Sequence, residues 1–208
     1  AFGERQFYHA VFPSELEWDR RDDPGDPARG FYLLWDVEPF IALDSDSQTG
    51  LFSDLDARAY LSFGGDRRTT FAARAQVGNV AFSDLDATPP DYLFFSGGGD
   101  TVRGHGYQSL GITQPNGRDS GGRSFLGLSG EIRQGITDAL GAVVFVDVGY
   151  ISADTVIDSS AESHTGVGLG VRYATPIGPV RVDLATPYSD ADDRWRSYEL
   201  YIGVGQAF

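Results

Sequence analysis

The chain has 208 residues, with 30 acidic against 16 basic side chains, all of the latter arginine, for a net charge of −14. That balance excludes a nucleic-acid partner, because phosphate binding needs a basic footprint, and the lack of cysteine excludes disulfides, thiolate metal sites and a thiol nucleophile. No window of about eighteen apolar residues exists, which rules out a transmembrane helix and leaves a membrane β-barrel open.

Glycine (27 residues) and aromatic side chains (13%) lean towards β structure, since aromatics fit a pleated surface. The start carries no signal-peptide pattern. Methionine is absent, including at position 1, as expected of a processed product or a piece of something longer.

Along the chain the dominant period is two. After a weak strand signal in Ala1–Ala10, the stretch SELEWDR sets Leu16 and Trp18 against Glu15, Glu17 and Asp19. FYLLWDVEPF alternates Phe31, Leu33, Trp35 and Val37 with Tyr32, Leu34, Asp36 and Glu38. DLDARAYLSF sets Leu55, Ala57, Ala59, Leu61 and Phe63 against Asp56, Arg58 and Tyr60, and TFAARAQVGNV sets Phe71, Ala73, Ala75 and Val77 against Arg74 and Gln76.

Beyond a glycine-rich stretch the pattern sharpens. FLGLSGEIRQGI places Leu126, Leu128 and Ile132 opposite Ser129, Glu131 and Arg133, and AVVFVDVGY places Val144, Val146 and Val148 opposite Phe145, Asp147 and Gly149. TGVGLGVRY sets Val167, Leu169, Val171 and Tyr173 against Gly166, Gly168, Gly170 and Arg172, and VRVDLA sets Val180, Val182 and Leu184 against Arg181 and Asp183. The last segment, YELYIGVGQAF, puts Tyr198, Leu200, Ile202, Val204 and Phe208 on one parity and Gly203, Gly205 and Ala207 on the other.

Nine strands follow, or ten if Ala1–Ala10 joins them, linked by the turn-rich DDPGDPARG, DSDSQTG, PNGRDSGG and TPIGP. One face is large and apolar, while the other mixes glycine with arginine and acids, which suits a narrow wet lumen. Apolar out and polar in is the arrangement of a membrane barrel, with a soluble sandwich or barrel as the competing reading.

The glycine-rich stretch FFSGGGDTVRGHGYQ, Phe94 to Gln108, invites a ligand reading. A phosphate loop needs a lysine opening a helix, and a dinucleotide turn needs a third glycine before a helix; both are missing. DSDSQTG, Asp44 to Gly50, has its glycine seventh and Leu55 twelfth, so it reads as a strand connection and not as a calcium loop. His9, His105 and His164 lack ligand spacing, and no G-x-S-x-G elbow positions a serine nucleophile. No cofactor is expected.

Three stretches carry a resemblance: PPDYLFFSGGGDTVRGHGYQSLG, GVGLGVRYATPIGPVRVDLATP and ELYIGVGQAF. They resemble the C-terminal barrel half of bacterial outer-membrane assembly proteins of the BamA and TamA type, nearest the TamA branch of the translocation and assembly module. The likeness is strong over Thr88–Phe208 and moderate over Arg20–Leu33. It implies an all-β antiparallel transmembrane barrel, here nine or ten of about sixteen strands, as one domain over 1–208 without POTRA domains.

The resemblance also implies that a long loop, about 82–121, folds into the lumen. Its tip, Val102, Arg103 and Gly104, would meet acids on the two following strands, Glu131 and Asp147, with His105 where an aromatic is more usual. Strand parity alone already puts Glu131 and Asp147 on the polar face, and one guanidinium can fork between two carboxylates. With an arginine partner, the two acids suit a structural clamp better than proton transfer.

Tyr201, Gly203 and Phe208 would form a C-terminal insertion signal. The implied role is non-enzymatic insertion of outer-membrane proteins through a weak seam. Its expected partners are outer-membrane lipids, nascent outer-membrane proteins and a periplasm-spanning subunit. A passive or secretion-type pore, or an inactive barrel fragment, is the alternative.

Overall fold

Residues that alternate apolar and polar along an extended chain must bury one parity, and this chain does so by curling a single antiparallel sheet around its polar parity. The fold is given by a computed structural model that describes residues 8–43, 48–65, 67–83, 85, 88–114, 117, 119–188 and 197–208. Its strands are β1 (His9–Val11), β2 (Ser14–Asp19), β3 (Gly30–Ala42), β4 (Thr49–Phe63), β5 (Thr69–Ala81), β6 (Ile112–Thr113), β7 (Asp119–Ser120), β8 (Ser124–Gly135), β9 (Leu140–Ser152), β10 (Glu162–Tyr173), β11 (Val180–Pro187) and β12 (Glu199–Val204). Among the described residues no helix is long and apolar enough to cross a membrane.

Ten of these segments form one sheet, ordered β1-β3-β4-β5-β8-β9-β10-β11-β12, with β2 also on β3. β1 and β2 pair with the two ends of the same edge of β3, His9 opposite Ala42 and Asp19 opposite Tyr32, so they occupy one strand position. The sheet therefore has nine positions. Nine is the count expected from the sequence: His9 and Ala10 extend the first strand and do not found the optional tenth, and Ala1–Phe7 lie outside the described residues. So do residues 44–47 of DSDSQTG.

Every neighbouring pair is antiparallel, so β2 and β12, eight steps apart, run the same way. Among the described residues these two edge strands do not pair with each other.

The outward parity is the one expected: Leu61, Phe71, Ile132, Val144, Leu169, Leu184 and Leu200 are all exposed. Trp18, Phe31, Phe63 and Tyr173 stand at one rim, with Trp18 edge-on to Phe31 at 5.0 Å, as in the aromatic girdle of a membrane barrel. That rim carries the short connections, such as residues 64–68, 136–139 and 174–179, while the opposite rim carries residues 82–123. Short turns mark the periplasmic end and long loops the outer end.

The turn between β2 and β3 is built by one carboxylate. Asp22 Oδ1 accepts the backbone N–H groups of Asp23, Ala28 and Arg29 at 3.0, 2.9 and 3.1 Å. The turn then folds over the lumen mouth, where Asp26 holds Arg68 and accepts from Gln206 at 2.8 Å.

The loop between β5 and β8 re-enters the barrel. Phe94 stacks between Phe52 and Phe125, with centroids 5.4 and 6.5 Å away, and occupies the space a side chain at Gly78 would need. Phe94 bridges to Gly122 and Ser96 to Leu110, so the loop enters as a loose ribbon. The small β6–β7 hairpin within it gave no strand signal in the sequence.

Candidate loop and lumen site

At the tip of this loop Val102 is fully buried and Arg103 is 2% exposed. The strands beneath explain why. Gly149 and Gly166 lack the side chains that would collide with the tip: a Cβ at Gly166 would lie 1.7 Å from the Arg103 carbonyl oxygen, and one at Gly149 2.8 Å from Val102. Gly104 turns the chain with φ +94°, a left-handed conformation that costs glycine little, and it packs so closely on Thr186 that a Cβ would meet its backbone at 2.6 Å.

Arg103 is held from several sides. Its Nε and Nη2 donate to Asp147 Oδ2 and Oδ1 at 2.7 and 2.9 Å, a side-on fork, and its backbone N–H adds a third bond to Oδ2 at 3.1 Å. Nη1 donates to Glu131 Oε1 at 2.6 Å. The guanidinium lies 3.5 Å from the ring centroid of Phe145, which adds a cation–π contact. Asp147 and Glu131 come from adjacent strands, β9 and β8, on the parity that faces inward.

The cluster extends beyond the expected triad. Glu131 Oε2 accepts Arg133 Nε at 2.8 Å, and Arg133 Nη2 donates to the Phe208 carbonyl at 2.9 Å. Asp183 is gripped by Nη1 and Nη2 of Arg172 and lies 3.8 Å from Arg103. A second cluster on the neighbouring strands β4 and β5 seats the same loop: Asp56 joins Arg58 and Arg74 at 2.6 and 2.7 Å, and Arg74 Nη1 donates to the Asp100 carbonyl at 2.8 Å. So many charges lose water together that each needs its partners, and these are met almost entirely by fixed protein groups.

The structure thus brings together Val102, Arg103, Gly104, Glu131 and Asp147. Arg133, Phe145, Arg172 and Asp183 complete the cluster and were not anticipated as members, although their inward parity was the available signal. His105 sets its Nε2 3.1 Å from the Thr165 carbonyl and its ring 6.0 Å from His164.

The C-terminal residues divide. Tyr201 reaches the loop tip, accepting from the Gly104 N–H at 3.0 Å and donating to the His105 carbonyl at 3.2 Å. Gly203 lies beneath Arg181. Phe208 departs from its expected outward parity: Gly205, at φ +88°, ends β12, and the chain turns inward to bury Phe208 against Tyr60 and Ala72. Among the described residues no group of three or more potential metal ligands converges.

The fold matches the crystal structure of BamA from Haemophilus ducreyi lacking POTRA domains 1–3, with a TM-score of 0.69 at 15% identity. That match covers 92% of this chain and 41% of the other, so the chain spans about two fifths of the BamA chain's length. The Omp85 superfamily domain matches residues 6–208. An antiparallel wall with an apolar outer face, a loop clamped in its lumen and a family match along nearly the whole sequence lead to one conclusion: the chain belongs to the Omp85 superfamily and resides in the bacterial outer membrane.

Proposed function

We propose that this chain is the barrel part of an outer-membrane protein insertion and assembly factor, acting without covalent chemistry. The carrying observation is the edge of β12. This strand is only six residues long, has β11 as its one strand neighbour among the described residues, and is tied through Tyr201 to the clamped loop tip. A free edge presents unpaired N–H and C=O groups that an incoming strand can satisfy by β-augmentation. The barrel is read as one domain over 1–208, with the loop of about 82–121 propping its lumen side. Tyr201, Gly203 and Phe208 serve as the insertion signal, and the motifs of Thr88–Phe208 put the chain on the TamA branch. Nascent outer-membrane proteins, lipids and a periplasm-spanning subunit are its partners.

Glu131 and Asp147, engaged by guanidinium donors, are poor candidates for proton transfer. A passive pore is disfavoured by the loop clamped inside the lumen and by the Asp26–Gln206 contact across one mouth. The test is to reconstitute the purified protein in lipid vesicles, then record both conductance and the insertion rate of an unfolded small barrel. The proposal expects faster insertion and little steady current. A large steady current with insertion no faster than in empty vesicles would favour the pore.

A further inference from the structure

The histidines are scattered in the sequence, but the fold brings two of them together. His105 follows the clamped tip of the re-entrant loop, and His164 stands on the inward parity of β10, directly opposite Gly149. Because Gly149 has no side chain, the loop tip settles at that point of the wall, where a Cβ would lie 2.8 Å from Val102. The two imidazole rings end with centroids 6.0 Å apart and planes at 67°. Each ring offers a bare nitrogen. The Thr165 carbonyl can only accept, so His105 Nε2, 3.1 Å away, carries the proton of the neutral imidazole and leaves Nδ1 as a lone pair. His164 Nε2 is buried and makes no hydrogen bond with any described residue. A buried nitrogen without a partner points to a ligand, and a histidine tied through one nitrogen to a backbone carbonyl is oriented as metal ligands are.

We infer that His105 and His164 together bind a divalent transition metal of the zinc class, which ties the loop tip to β10. Zinc–nitrogen bonds of about 2.0–2.1 Å put two imidazole centroids about 5–6 Å apart, so the rings need little adjustment. Imidazole nitrogen selects zinc, copper and nickel over calcium and magnesium, which take oxygen ligands. Among the described residues no group of three ligands converges, so water fills the remaining positions of the ion. Its charge is tolerated here. Glu162 lies two residues before His164 on the same strand face and interacts with it, while the charge of Arg103 is already answered by Asp147 and Glu131. His105 is only partly buried, which leaves the ion a path in from solvent. The metal is a second tether for the loop beside the Arg103 clamp, and it acts whatever pairs with β12.

The absence of cysteine and of other thiolate ligands makes the test clean. Protein without a histidine tag is titrated with Zn²⁺ in detergent by calorimetry. Zn²⁺ should bind, excess Mg²⁺ should not compete, and saturation should raise the temperature at which heat-modifiable migration is lost. His105→Gln and His164→Gln should each weaken binding by at least about tenfold and remove that rise. His9→Gln, beside Phe40 and Tyr92 and away from the pair, should change neither. A second measurement needs no variant: the electron-spin-echo spectrum of Cu²⁺ bound to the unmutated protein should show two coordinated imidazoles. No Zn²⁺ uptake, uptake that survives either substitution at the pair, or a copper spectrum with fewer than two imidazoles would overturn the assignment.

Discussion

Among the described residues, Arg103 concentrates more of the fold's electrostatics than any other. Removing one member of a buried ion cluster strands its partners, so Arg103→Ala should cost about 3–5 kcal/mol. Arg103→Lys should not restore the loss, because an ammonium cannot fork across Asp147 while reaching Glu131. Trypsin offers a local readout: lysine is absent, and the bond after Arg103 is shielded in the lumen. Both variants should lose heat-modifiable migration, and Asp147→Asn should expose the bond after Arg103 to trypsin more readily than Glu131→Gln. The order follows from the contacts, since Asp147 takes three N–H groups from Arg103 whereas Glu131 is shared with Arg133. Parity made Glu131, Asp147, Arg133, Arg172 and Asp183 legible as inward groups. It could not assign arginines to acids, because that choice depends on register and on where a loop outside the sheet comes to rest.

The re-entrant loop depends on what the strands omit. Gly149 and Gly166 form a bed for the tip, so Gly166→Ala should unseat it with every charge still present. The expected result is new trypsin cleavage after Arg103 at a cost of about 1–3 kcal/mol; an unchanged digestion pattern would show that the tip tolerates displacement. In the sequence these glycines looked like room for a narrow lumen, and the structure gives that room an occupant. The β6–β7 hairpin and the inward turn of Phe208 were not legible: two-residue strands are too short to show a period, and a single left-handed glycine reverses the parity of all that follows.

At the opposite rim, the turn held by Asp22 should respond to acid. Burial is the largest single influence and opposes its charged form, but the N–H groups of Arg29, Ala28 and Asp23 together outweigh it and hold its pKa below the usual aspartate value. A depressed folded-state pKa means the stabilisation is present above the unfolded value of about 3.9 and lost as pH falls through the folded one. Amide exchange at Ala28 and Arg29 should accelerate on acidification below that range. Asp22→Asn, which accepts similar bonds without titrating, should show no such step.

Across the whole molecule, the nine strand positions were readable because each strand repeats one instruction, apolar towards lipid and polar towards the lumen. Which strands lie at the edges of the described sheet was not readable, since edge pairing depends on strand direction and on partners. With β2 and β12 pointing the same way, the two edges of the described sheet cannot join through an antiparallel pair, and an antiparallel partner for β12 must run from the periplasmic rim outward. The account stands or falls on whether that edge receives substrate. Photo-crosslinkers placed singly at Leu200 and Ile202 on β12, and at Val144 and Leu169 on the wall, would be challenged with a barrel protein arrested during insertion. Strong adducts at Leu200 and Ile202 with little at Val144 and Leu169 are predicted, whereas equal labelling at all four, or none on β12, would contradict edge templating.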